Sequence, residues 1–134
     1  MSKTETNRKI IQSYFADICS GNEEIMKKAI DKYADPNFIQ HNPNMKNGKA
    51  GLVEYAKKLR ANSPNCKFVT KRFIADGDFV VCHSEVTGYL METDDKDPKY
   101  VFVDIYRLEN GKVVEHWDVS QRVPDTTASG NPMI

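Results

Sequence analysis

Val101-Phe102-Val103-Asp104-Ile105-Tyr106-Arg107-Leu108-Glu109-Asn110-Gly111-Lys112-Val113-Val114-Glu115-His116-Trp117-Asp118-Val119 is a pair of β-branched and aromatic runs around Asn110-Gly111, a strong short-range hairpin signal. Two registers are open. A three-residue loop, Glu109-Asn110-Gly111 with Gly111 left-handed, pairs Leu108 with Lys112 and sets Asp104 opposite His116. Phe102, Asp104, Tyr106, Val114, His116 and Asp118 then share one face. A two-residue Asn110-Gly111 turn instead pairs Asp104 with Trp117 and breaks that group. The first register is preferred.

Working outward, the same strand grammar begins at Cys66, with Asp76-Gly77-Asp78 as a second hairpin turn. Strands are expected over 66–76, 79–91, 99–108 and 112–121, with a charged loop at Thr93 to Pro98. Upstream the period changes to that of a helix. Ser2 to Glu5 reads as a capping box, and Ile10, Ile11, Tyr14, Phe15, Ile18 and Cys19 recur at helical spacing until Gly21. Ile25, Met26, Ala29, Ile30 and Tyr33 give a second helix that stops at Asp35-Pro36. Phe38 to His41 is a short extended segment, and Leu52, Tyr55, Ala56 and Leu59 give a third helix closed near Ser63-Pro64. Helices first and an antiparallel meander after them predict an α+β fold with the helices on one face of a curved sheet.

The chain has 134 residues, 40% hydrophobic and 28% charged, which fits one domain over 1–134 with terminal segments at 1–7 and 124–134. At this length a core forms without disulfide or metal staples. Nineteen basic and nineteen acidic side chains cancel, so no overall positive field is present to hold nucleic acid or an anionic membrane, and neither is expected as a partner. The acids nevertheless gather in residues 68–134, 12 against 7 basic, with the opposite count in 1–67. No apolar run reaches the length of a membrane span and no signal-peptide core is seen, so a cytoplasmic protein is expected. Cys19, Cys66 and Cys82 are odd in number and lack CxxC spacing, which points to packing rather than to a disulfide or zinc framework.

A sheet face with Phe102, Tyr106 and Val114 around two acids and a histidine is unusual for solvent and reads as a pocket wall. His116 and Asp118, two apart on a strand, project to one side, as an acid/base pair would. Asp104 sits in an apolar strand, and burial there favours its protonated, hydrogen-bond-donating form. His41 stands at the end of a short segment beside Pro43, from which it can reach a cleft; the orientation of His83 is open. Three histidines with aspartates could ligate a metal, but no HExxH-type spacing is present and none is expected; nor is a phosphate loop or a G-x-S-x-G elbow.

Tyr33-Ala34-Asp35-Pro36-Asn37-Phe38-Ile39-Gln40-His41-Asn42-Pro43, the strand Val103 to Leu108, and Gly111-Lys112-Val113-Val114-Glu115-His116-Trp117-Asp118-Val119 together resemble the SnoaL-like polyketide cyclase family. That family lies in the superfamily that includes nuclear transport factor 2 and ketosteroid isomerase; the QHNP and EHWD motifs are most similar to a branch described as predicted aldol-condensation enzymes. The resemblance covers nearly the whole chain and requires the preferred register. It implies a cone-shaped fold, three helices closing a strongly bent sheet around one pocket, commonly in a homodimer. It implies cofactor-free acid/base work on a small apolar carbonyl compound, by enolisation for aldol cyclisation or isomerisation. His41 falls near the isomerases' general-base aspartate, Asp104 matches their oxyanion-hole aspartate, and Asp118, with His116 beside it, resembles the acid/base aspartate of the cyclases. The isomerase base is thus replaced by histidine; for the oxyanion tyrosine Tyr14 and Tyr106 are the candidates, and Phe102 joins them as a substrate contact. The same fold also serves non-catalytic binding and dimerisation domains, so fold alone does not decide for an enzyme.

A homodimer is expected through the opposite face of the sheet, where Val101, Val103, Ile105, Val113, Trp117 and Val119 would form an apolar surface. The tail from Pro124 ends in Pro132-Met133-Ile134 and is read as docking over the pocket mouth or on a partner subunit.

Overall fold

The computed structural model describes residues 1–134. Helix α1 spans Lys3–Ile18, with the Ser2 hydroxyl accepting from the Glu5 amide. The reciprocal half of the capping box does not form, because Glu5 turns to Arg8 one turn on. Asn22 caps α2, Glu23–Tyr33, whose first turn carries Glu23 and Glu24 against the positive end of its dipole. Helix α3, Gly48–Asn62, begins a turn before its apolar pattern does. Its Asn47 cap makes no bond to the helix; the Asn47 side-chain oxygen accepts from the Gln40 backbone N–H instead and ties the helix entry to the preceding strand. Gly51 lets the backbone of Lys46 approach so closely that a Cβ would lie 1.9 Å from its carbonyl oxygen.

Five strands follow the order β1-β5-β4-β3-β2: β1 Ala34–Gln40, β2 Lys67–Asp76, β3 Phe79–Thr87, β4 Lys99–Glu109 and β5 Lys112–Arg122. The α+β class and the three helices packed on a strongly curved sheet are as the sequence predicts. The meander β2 to β5 is antiparallel. The extended segment expected at 38–41 is longer and forms a fifth strand, β1, running parallel to β5 and making the sheet mixed. Strand β3 stops at Thr87 rather than at Met91, because Gly88 takes a left-handed turn against the Asn65 carbonyl.

The hairpin register differs from the preferred one. Asn110 and Gly111 are both left-handed, with φ of 51° and 78°, so the turn has two residues and Glu109 pairs with Lys112. Leu108 pairs with Val113, but Arg107 pairs with Glu115, leaving Val114 as an extra, unpaired residue. That bulge reverses the parity of β5, so Asp104 lies opposite Asp118 and Tyr106 opposite His116. Phe102, Asp104, Tyr106, His116 and Asp118 therefore share the inner face after all, with Val113 in place of Val114.

The core is built where the helices close on this face: Ile11, Tyr14 and Phe15 of α1 and Ile30 of α2 pack on Val80, Cys82, Tyr106, Leu108 and Val113. A second cluster joins Val86, Tyr89, Tyr100 and Phe102 toward the far end of the sheet. Val113, expected on the outer face, is fully buried in the first cluster because it precedes the bulge. The outer face keeps Ile39, Ile74, Phe79 and Val119 at 42%, 59%, 44% and 69% exposure. From Val123 to Ile134 the chain borders a groove with Glu85 and Lys99 of the outer face, Met133 and Ile134 being half-buried.

Candidate active site

Between the helices and the sheet lies a small cavity of about 80 Å³. Its walls are mostly aliphatic and aromatic, with Ile18, Met26, Leu52 and Leu59 from the helices facing Phe68 and Phe102 of the sheet. Its polar residues are few: Asp104, His116 and Asp118 from the sheet, with Tyr14, Tyr55 and Tyr106. No lysine or arginine lines it. This is the usual composition of a small-molecule site, an apolar volume with a few placed polar atoms.

Asp104 and His116 form the centre. Asp104 is 5% exposed, and its Oδ1 lies 2.8 Å from His116 Nε2. Burial in the apolar strand pair pushes the Asp104 carboxyl above the usual range; the hydrogen bond with His116 opposes this and the Asp118 charge reinforces it. The other oxygen, Oδ2, is buried with no partner. The imidazole is clamped between rings, with centroids 4.7 Å from Tyr106 and 6.4 Å from Phe38. Its Nδ1 lies 2.7 Å from Gln40 Oε1.

Asp118 stands beside the pair, with Oδ2 4.0 Å from His116 Nε2. The Asn42 amide donates to both of its oxygens, at 2.9 and 2.8 Å. Tyr14 is fully buried, and its hydroxyl has no partner. Burial holds that hydroxyl in its protonated form, well above the usual phenol range. Tyr14 packs edge-on against Tyr106 at 5.7 Å, which fixes its ring beside the site. Of the residues singled out in the sequence, Tyr14, Phe102, Asp104, Tyr106, His116 and Asp118 all line this one cavity.

His41 does not. In β1 and the turn after it, Phe38, Gln40 and Asn42 point inward, while Ile39 and His41 point out. His41 stacks on Trp117 of the outer face, centroids 4.9 Å apart, and its Nε2 lies 2.7 Å from Glu115. Glu115 also accepts from Arg107, and its carboxyl is held below the usual range first by the His41 contact. The motif residues that reach the site are its neighbours, Gln40 and Asn42, which went unassigned in the sequence. Period-two alternation from the apolar Phe38 was the available signal. His83 also faces outward and accepts from Arg72 at 3.0 Å.

Tyr55 was missed as well. Its hydroxyl pairs with that of Tyr89 at 2.9 Å at the pocket wall. Cys19 lines the cavity, but burial drives its thiol far up, and Cys66 is pushed up to about 11, so neither is an activated nucleophile. Ligand atoms of Asp104, His116 and Asp118 gather within 4.8 Å, close enough in principle for a metal. The 2.8 Å contact between His116 and Asp104 has hydrogen-bond length, whereas two ligands on one tetrahedral zinc stand about 3.3 Å apart.

A family model for SnoaL-like polyketide cyclase matches residues 10–127. The chain belongs to that family. Among solved structures, a protein from Acidithiobacillus ferrooxidans assigned as a polyketide cyclase is 26% identical, with a TM-score of 0.70 over 90% of this chain and 92% of that one. A Bacillus cereus protein assigned as a polyketide cyclase is 25% identical, with a TM-score of 0.68 over 84% and 72%. One assigned as SnoaL-like from Jannaschia sp. shares the fold at 17% identity, with a TM-score of 0.77 over 90% and 89%. No curated protein sequence matches the chain.

Proposed function

We propose that this SnoaL-like protein is a cofactor-free acid/base enzyme that enolises a small, apolar carbonyl compound, for ring closure by aldol addition or for isomerisation. One observation carries the reading: in a mostly apolar cavity the ionisable groups Asp104, His116 and Asp118 converge on one wall. The relatives assigned as polyketide cyclases support a substrate with more than one carbonyl group.

Asp118 is the base. Both its oxygens accept from Asn42, an arrangement suited to the carboxylate, and it faces the cavity. It takes the proton alpha to the carbonyl, and charge moves to the carbonyl oxygen. The unpartnered Tyr14 hydroxyl donates to that oxygen, and a donor of this kind contributes about 3 to 4 kcal/mol. Asp104 and His116, which share a hydrogen bond and no net charge, hold the polar end without a fixed cation. In ring closure the enolate carbon attacks a second carbonyl, and the proton on Asp118 passes to the new alkoxide.

The test is solvent deuterium exchange at the alpha carbon of cyclic and poly-carbonyl ketones. Wild type should exchange at least one of them far faster than Asp118→Asn, and His41→Ala should match wild type. Equal exchange by wild type and Asp118→Asn for every compound, with a copurified ligand returned unchanged, would establish a binding domain instead.

A further inference from the structure

We propose that Gln40 is a positioning residue of this site: it dictates which nitrogen of His116 carries the proton, and so leaves one proton for His116 Nε2 and Asp104 Oδ1 to share. The parallel ladder of β1 on β5 pairs Gln40 with His116 and brings the amide beside the ring. Gln40 Oε1 receives two contacts, the Asn42 backbone N–H at 3.0 Å and His116 Nδ1 at 2.7 Å.

A side-chain amide can be reversed end for end, but this one cannot. Reversal would aim the Gln40 NH₂ at the Asn42 N–H, donor against donor. The oxygen therefore faces His116, and an oxygen acceptor requires a hydrogen on Nδ1. With Nδ1 occupied, a neutral imidazole presents a bare Nε2 to Asp104, which must then be the acid that donates. The only other state is imidazolium against carboxylate. In both, the pair holds a single proton on the 2.8 Å line between Nε2 and Oδ1, and has no net charge. Without Gln40, the simplest arrangement reverses: a neutral His116 protonated on Nε2, donating to an ionised Asp104, which would place a second negative charge beside Asp118.

The same tripeptide thus governs both acids. Gln40 sets the proton polarity of the Asp104–His116 pair, and Asn42 holds Asp118 while its backbone N–H locks Gln40. The consequence for catalysis rests on the enolisation reading; the tautomer assignment does not.

The experiment is long-range proton–nitrogen NMR of nitrogen-15 histidine in a His41→Asn, His83→Asn background, where His116 is the only imidazole. The proton should be found on Nδ1 with Gln40 intact and with Gln40→Glu, which keeps an acceptor, and should move to Nε2 in Gln40→Leu. A wild-type ring protonated on Nε2 alone, or a folded Gln40→Leu variant with the wild-type spectrum, overturns the proposal. Should Gln40→Leu not fold, the spectra with Gln40 and Gln40→Glu decide it. In the exchange assay Gln40→Leu should lose about a hundredfold in kcat with little change in KM, and Gln40→Glu should retain most of it. No exchange by wild type, with Nδ1 protonated, would sink the enolisation reading and leave this assignment standing.

Discussion

Asp104 and Asp118 are cross-strand partners in the β4–β5 ladder, two carboxyl groups directly opposite on one face with His116 Nε2 reaching 2.8 Å from one and 4.0 Å from the other. Like charges in that position repel. The site meets the conflict by keeping Asp104 dry and by giving Asp118 the Asn42 amide.

A dependence of stability on pH follows. Asp104 has a folded-state value above its ordinary 3.8, chiefly through burial, so the folded chain holds a proton that the unfolded chain releases. Its stabilising contribution is whole below that value and is lost as pH rises through the folded one. Asp104→Asn should therefore melt higher than wild type at neutral pH, with the difference closing as pH falls toward 4. Thermal melts across pH 4 to 8 check this, and a constant difference would contradict it.

Asn42→Ala removes the donor from Asp118, whose side chain is only 12% exposed. A buried carboxylate that loses its partner costs about 1 to 3 kcal/mol. The variant should unfold at lower denaturant and exchange ketone protons more slowly, while His41→Ala, on the outer face, should leave exchange unchanged. Urea unfolding and the deuterium assay together separate the two.

An apolar cavity whose only acidic base has no balancing lysine or arginine should turn away anions. Calorimetry with 1-tetralone and its 6-carboxylate should show the carboxylate binding about thirtyfold more weakly or worse, since two like charges roughly 7 Å apart at an effective dielectric near 20 repel by about 2 kcal/mol. Equal affinity would mean that the ligand's charge lies outside the cavity.

Zinc should not stabilise the protein. If Asp104, His116 and Asp118 are a hydrogen-bonded set, added zinc leaves the melting temperature where it was and dialysed protein contains far less than one equivalent. Stoichiometric metal with a raised melting temperature would replace the acid/base reading with a Lewis-acid one.

Ile39, Ile74, Phe79 and Val119 leave an apolar outer face, with Phe79 and Trp117 rings 6.3 Å apart. Faces of this kind mark contacts, and light scattering should show a dimer that Phe79→Glu with Val119→Lys converts to a species near 15.3 kDa. Wild type at that mass would show the face to be free.

The helices and the meander were legible because each carries its period plainly, from Ile11-Tyr14-Phe15 to the alternation of Phe102, Asp104 and Tyr106. The inward group on the hairpin was also named, though by a register that does not occur. A three-residue loop and a two-residue turn followed by a bulge give β5 the same parity, and Val113-Val114 offers no sign of which valine is extra. Asp35-Pro36 masks how far β1 extends, since Pro36, on the sheet edge, needs no ladder bond there, but the alternation from Phe38 already turns His41 outward.

The single unpaired residue at Val114 divides β5 into two reading frames. Before it, odd positions face the helices and Val113 completes the core; after it, even positions do, and His116 and Asp118 meet the cavity. Core and chemistry occupy one strand but obey different phases, so both face inward only while Val114 stays out of the ladder. Were Val114 instead taken into the ladder opposite Arg107, Glu115 and Trp117 would turn inward and the two site residues out to solvent, leaving the packing of Val113 intact. In this hairpin the one skipped pairing shapes the candidate site as much as any side chain does.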